Sequence, residues 1–184
     1  MLENHQKYRW FYTSSGKLVV GGKNARQNEE IMQYVLKEKK EYIIAHTKDP
    51  GSPFCIILSE KYNKKDLDEC LIFCGCFSRA WRSNKKLAEV HWFSSKDIYK
   101  TKNMKEGTFG VKKLAGKKRV ELKLYYKEQK GKARFVPIKE NSKLCITIGG
   151  IEKELFAYQI SKILKRNKQE IIEALPSGRF TICK

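Results

Sequence analysis

The sequence predicts an α+β fold: a mostly antiparallel or mixed sheet built from hairpins, two principal helices packed on one face of it, and a short C-terminal helical extension. Three observations carry that expectation. Short runs rich in β-branched and aromatic residues are separated by Gly-, Asn- and Ser-containing turns. Two longer segments repeat apolar residues at three- and four-residue steps. A chain of 184 residues with 41% hydrophobic and 11% aromatic residues can bury a core of ordinary size, so it reads as folded.

The elements follow in order. "YRWFYTSSGKLVVGG" places bulky residues on both sides of Ser-Ser-Gly-Lys, a β-hairpin with a short glycine loop. Asn24 is a suitable N-cap, and Gln27 three residues on completes the Asn-x-x-Gln form of a capping box. Ala25, Asn28, Met32, Val35 and Leu36 then mark a helix over about 25–39. "YIIAH" and "PFCIIL" read as strands around the turn "TKDPGS". A second helix carries Leu67, Cys70, Leu71, Cys74, Phe77 and Trp81 on one face. "AEVHWFSS" reads as a strand, residues 99–118 as loop, and "RVELKLYY" as one strand. "ARFVPI" and "KLCITIGG" are further short strands. "ELFAYQISKILKRNKQEIIEAL" gives two helices divided near Asn167, and "SGRFTI" a last strand. A weak boundary near 140 separates residues 1–139 from a small α/β extension at 140–184, either its own unit or part of the same domain.

Charge is the strongest compositional feature. The formal net charge is +19, from 39 Lys+Arg and 20 Asp+Glu. Residues 1–60 hold nine basic and seven acidic residues, whereas 79–139 hold nineteen and five, a net of +14. Such a field attracts polyanions. No run approaches the about eighteen apolar residues of a membrane span, and the N-terminus lacks an apolar signal core. A cytoplasmic protein without a membrane partner is expected. In that setting the six cysteines form no disulfide framework. The Cys-x3-Cys-x-Cys spacing of "CLIFCGC" is unusual for zinc, so Cys70 and Cys74 read as small buried apolar groups. No metal or other cofactor is expected.

The stretch "VVGGKNARQNE" asks why two glycines stand between a strand and a helix. Glycine permits a tight turn and also lets a ligand approach the backbone. A helix N-terminus beyond it offers unpaired N–H groups to a phosphate. Spacing alone leaves both uses open. The longer run "RWFYTSSGKLVVGGKNARQNE" resembles the N-terminal signature of NFACT-R domains. So do "YIIAHTKDPGSP", "FSRAW", "EVHWFSSKDIYK" and "KEGTFGV", in the family's order, over about residues 7–114. The last block departs from the family pattern in its first glycine. This resemblance implies an RNA-binding module. Long members belong to factors of ribosome-associated quality control, and short members are expected to work beside RNA-modification enzymes, including those of tRNA.

The candidate phosphate contacts are Gly21, Gly22, Lys23, Asn24 and Arg26 at the helix start, with His46 at a strand end before a Pro-Gly turn. His46 would stack on a base, donate to phosphate, or cap local backbone. Arg79, Arg82, Lys85 and Lys86 gather at the end of the second helix, where they also complement its dipole. Lys112, Lys113, Lys117, Lys118 and Arg119 are expected in a loop that grips phosphate without reading sequence. Tyr125 and Tyr126 are adjacent in a strand, so one faces solvent and suits base stacking. No nucleophile–base motif or paired carboxylates emerge, and no catalytic residue is assigned. The reading is a non-enzymatic binder of tRNA, rRNA or a ribosomal particle, whose partners include the ribosome or an RNA-modification enzyme. The alternative is an accessory subunit or enzyme of RNA modification, in which the cysteines or His46 do chemistry.

Overall fold

The computed structural model describes residue 2 and residues 4–183. β1 (Arg9–Tyr12) and β2 (Leu18–Gly21) form the expected hairpin, with Trp10 opposite Val20 and Phe11 opposite Val19. β3 (Ile43–Thr47), β4 (Cys55–Ile57), β5 (Leu87–Ser94) and β8 (Gly116–Glu121) complete a six-stranded antiparallel sheet. Its order is β1-β2-β4-β3-β5-β8.

The doubled apolar residues of the inner strands explain the layering. Val19, Ile43 and Ile57 face one side of this sheet, and Val20, Ile44 and Ile56 face the other. α1 (Ala25–Lys37) lays Ile31, Met32 and Val35 on the second side, and α2 (Lys64–Cys76) lays Cys70, Leu71, Phe73 and Cys74 on the first. The expectation of both helices on one face is therefore corrected. A strand covered on both faces loses the polar alternation of a half-exposed one and becomes a continuous apolar run. Each such Val or Ile contributes about 1.5–3 kcal/mol of burial.

α2 also ends earlier than expected. Ser78 starts a separate four-residue helix, α3 (Arg79–Arg82), by accepting the Ala80 N–H. Trp81 thus reaches the core from α3, fully buried, with its indole N–H donating to the Arg179 carbonyl at 3.1 Å. The expected loop at 99–118 holds a two-stranded ribbon, β6 (Ile98–Tyr99) with β7 (Gly110–Val111), and the start of β8. The run "RVELKLYY" divides at buried Leu122: β8 stays in the first sheet, while β9 (Lys123–Gln129) enters a second one.

The second sheet, β10-β9-β11-β12, adds β10 (Lys132–Val136), β11 (Cys145–Glu152) and β12 (Arg179–Ile182). α4 (Lys153–Leu164) and α5 (Lys168–Ala174) pack on it, α5 capped by Asn167 as the division near that residue suggested. The apolar cluster under α2 runs through Leu124, Phe135 and Ile146 to Phe156, Ile160 and Ile171. The two sheets also meet at the edge of β1, where the Gln129 amide accepts from Tyr12 N at 2.8 Å and donates to Tyr12 O at 2.7 Å. That clasp covers a strand edge otherwise open to mispairing.

Cys55, Cys70, Cys74 and Cys76 are buried free thiols, as the apolar reading requires. The expectation of no bridge is corrected at Cys145 and Cys183, which form a disulfide. They belong to neighbouring strands: Ile146 pairs with Ile182, so the next register position sets the two cysteines opposite each other.

Lys153 opens α4 from a largely buried site, its ammonium donating to Leu175 O at 3.2 Å. Burial, helped by the nearby charge of Arg9, pulls its pKa from 10.5 to about 8. The folded state therefore binds fewer protons than the unfolded chain between those values, and stability rises with pH across that window. Lys153→Met is expected to raise Tm at pH 7 by about 2–4 °C. Calorimetry at increasing pH should show its advantage over the wild type fading as the solution passes from pH 8 to 10.5.

Candidate nucleic-acid interface

Because both faces of the inner strands β2 and β4 are covered, polar side chains gather at the strand ends and on the β5–β8 side of the sheet. Gly21 ends β2 and pairs with Arg9 at the start of β1 and Cys55 at the start of β4. At the same end, β3 finishes at His46 and Thr47, which pair with His91 and Val90 of β5. These termini, the first turn of α1, the Pro50-Gly51 turn and residues 106–109 enclose a cleft of about 770 Å³.

The diglycine junction is fixed by packing as well as by the cleft. A Cβ on Gly22 would lie 2.3 Å from Asn28 Oδ1 and 2.6 Å from Asn28 N, so any side chain would push the first turn of α1 away. Gly21 is strand rather than cleft wall; its Cβ would approach Cys55 Sγ and Pro53 at 3.1 Å. Asn24 accepts the Gln27 N–H at 2.9 Å, as a cap should. The return bond differs from a capping box, because Gln27 Oε1 takes the N–H of Lys23 at 3.0 Å. Among the described residues, the first-turn donors of Ala25 and Arg26 have no backbone acceptor, as expected ahead of the first intrahelical bond. Lys23 extends beside this turn, its pKa lowered by burial and by the charge of Arg9.

The cleft's other cations come from separate elements. Arg79 is the first residue of α3, not the end of the second helix. Its N–H donates to Gly51 O at 3.0 Å, and its side chain fills the space a Cβ on Gly51 would need. Lys48 follows β3. Arg9 lies with its guanidinium 4.5 Å over the Phe77 ring, and burial lowers its pKa to about 10. The floor holds His46 against Phe54, with ring centroids 4.5 Å apart. His46 Nδ1 lies 2.7 Å from Thr47 O, so the local backbone contact exists alongside the cleft position. Burial lowers its pKa, which favours the neutral ring. His91 Nε2 is 3.0 Å from Glu89 Oε1.

The wall formed by residues 100–109 is tied down by a cation that is structural. Lys100 bonds Glu29 at 2.7 Å and the carbonyls of Lys105 and Thr108, while Gly107 N–H donates to the same Glu29 carboxylate at 2.7 Å. Those hydrogen bonds hold Glu29 ionised, pulling its pKa down against the opposing effect of burial.

The lysine cluster expected in a loop is divided by strand periodicity. Lys112 and Lys113 precede β8, but Lys117, Lys118 and Arg119 lie within it. Lys117 is opposite His91 and Arg119 opposite Glu89, so both share the face of the sheet that carries His46. Lys118 is opposite Val90 on the other face and pairs with Asp68 of α2 at 2.6 Å. Of the remaining candidates, Arg26 pairs with Glu30 at 3.3 Å and Lys85 with Asp49 at 3.1 Å, while Arg82 and Lys86 are exposed outside the cleft. Tyr125 and Tyr126 lie in the second sheet, Tyr126 packed toward Phe135. Gly22, Lys23, Asn24, His46 and Arg79 are thus brought together. Arg9, Lys48, Phe77 and His91 join them, although sequence reasoning passed them over. The usable signal for Arg9 was its place two residues before buried Phe11, a charge on the inward face of a strand.

The fold and the cleft together define an α+β module with cations and aromatic rings gathered at one end of its six-stranded sheet. Residues 7–113 match the NFACT protein RNA binding domain, and the chain belongs to that RNA-binding family. The ribosome quality control complex subunit NEMF homolog of Drosophila melanogaster is 31% identical over 99 residues, 52% of this chain and 10% of that protein. The NEMF subunits of Mus musculus and Homo sapiens are each 28% identical over the same length, 9% of theirs. The chain thus spans about a tenth of the curated relatives it matches. The C-terminal part of the fibronectin/fibrinogen-binding protein of Streptococcus suis shares the fold, with a TM-score of 0.51 at 23% identity, over 62% of this chain and 44% of that one.

Gly22→Ala is expected to destabilise the fold by about 1–3 kcal/mol, because the collision involves the backbone of α1 as well as a side chain. Urea unfolding measures it; a midpoint equal to the wild type would show that the junction has room to spare.

Proposed function

We propose that this chain is a non-enzymatic RNA-binding protein that holds the RNA backbone across the end of its six-stranded sheet. The RNA is tRNA, rRNA or a ribosomal particle, a reading supported by relatives named as ribosome quality control subunits. One observation carries the proposal: Lys23 at the start of α1, Arg79 of α3 and Arg9 of β1 converge on one cleft. Lys117 and Arg119 continue the positive charge along the same side of the sheet. Phosphates bound there would meet the Lys23 ammonium, the guanidinium of Arg79 and the first-turn N–H groups of α1. Gly22, which carries no side chain, lets the first turn of α1 pack close to the strand end.

The remaining basic residues supply a long-range field and a solvated surface. Exposed pairs such as Lys85–Asp49 and Arg26–Glu30 are screened by solvent and add little to stability, so they remain free to exchange partners at little cost.

Replacing Lys23 and Arg79 together by Ala should reduce the slope of log affinity against log salt by about one to two units. Lys118→Ala, on the opposite face, should leave the slope unchanged. Filter binding to tRNA and to an rRNA fragment over a salt series measures both. Equal effects of the two variants would mean that RNA is held by diffuse charge, not by the cleft.

A further inference from the structure

Arg9 is a cleft cation whose burial lacks an obvious compensation. Among the described residues it has neither a carboxylate within salt-bridge distance nor a side-chain hydrogen-bond acceptor. The neighbouring Arg134 rests on Trp10, 4.2 Å from that ring, and feels Glu170 and Glu173. Arg9 feels no acidic carboxylate and is drawn down by burial. Desolvating a guanidinium without a partner is costly. Phe77 fixes its plane from one side. Lys23 is near enough for the charge of Arg9 to depress its pKa, and the first turn of α1 follows directly. Two cations and the start of a thirteen-residue helix therefore line one cleft, an arrangement suited to a phosphate, although Glu173 lies beside Arg9 and Lys23 and Glu106 also lines the cleft.

What lies beside this seat has a different character. The His46 ring lies against Phe54, and Phe109 meets Phe54 edge-on at 5.7 Å. Phe93 also lines the cleft. A volume of about 770 Å³ falls in the range that encloses a small organic ligand, about 300–1,000 Å³. A duplex offers its phosphates from outside and keeps its bases stacked on one another, so it has no use for these rings. An unpaired nucleotide presents a phosphate and a free π face together.

We infer that the cleft receives an unpaired nucleotide of single-stranded or bulged RNA, its phosphate on Arg9, Lys23 and the start of α1, and its base against His46. This rests on the RNA-binding reading and adds the class of RNA structure selected. Arg9 is the specificity-determining residue, because it reaches the cleft half-buried from the start of β1 and held against Phe77.

Fluorescence anisotropy with three labelled RNAs tests it: a single strand, the same strand in a blunt duplex, and that duplex carrying one bulged nucleotide. Wild-type protein is expected to bind the single strand and the bulged duplex about tenfold or more tighter than the blunt duplex. Arg9→Gln is expected to weaken the first two about tenfold and leave the blunt duplex unchanged. Arg9→Lys should recover part of the loss, and a thermal melt of each variant monitors folding. If Arg9→Gln fails to fold, His46→Ala and the wild-type preference among the RNAs decide the matter. Equal wild-type affinity for single strand and blunt duplex, or equal weakening of both by Arg9→Gln, overturns this inference alone. Failure of the wild-type protein to bind any of the three overturns the RNA-binding reading as well.

Discussion

Burial of the six-stranded sheet on both faces is the constraint from which the rest follows. With α1 on one side and α2 on the other, the apolar residues of β2, β4 and β3 are sealed on both faces, while His46, His91 and Glu89 remain partly exposed on the face toward β8. Polar chemistry gathers at the strand ends and on the β5–β8 side of one face. At one end, Gly22 and the start of α1, the last residues of β3, Phe54 just before β4 and the entry to α3 come within one cleft. The same packing that removes a side chain from Gly22 brings the helix start to that place.

The distribution of charge follows from strand geometry. A sequence with +14 concentrated in 79–139 suggests a loose basic loop, yet much of that charge is ordered in β8. As an outer strand, β8 uses lysine and arginine to discourage edge pairing, a common way of protecting an open sheet edge. Its period of two sends Lys117 and Arg119 to the cleft side and Lys118 to α2. Carboxylates temper the field at chosen points. Glu89 lies by His91 at 3.0 Å and by Lys48 and Arg119 at 3.9 Å, so the row beside the cleft is held in place without being neutralised.

Much of this was legible in the sequence because it is local. The hairpin, the Asn24 cap, the helices divided at Asn167 and the mixed α+β character all rest on periodicity and turn residues that neighbours in the chain specify. The parts not legible depend on partners distant in the chain. His46 reads as a lone histidine until register sets His91 across from it. Arg9 reads as a strand residue until Phe77 arrives beneath it. Cys145 and Cys183 become neighbours only through the pairing of β11 with β12. Placing both principal helices on one face failed for a readable reason: Val-Val and Ile-Ile pairs already signal strands covered on both sides. The expected single strand at 119–126 failed because the division falls at Leu122, an apolar residue that satisfies either sheet.

The central claim is that RNA lies in the cleft at the end of the first sheet. Ultraviolet crosslinking of bound RNA, followed by mass spectrometry of the attached peptides, tests it most directly. The account predicts attachment within residues 22–28, 46–54, 77–79 and 106–111. Attachment concentrated on the α2 side, at Lys65, Lys118 or Lys127, or on the exposed faces of α4 and α5, would contradict it.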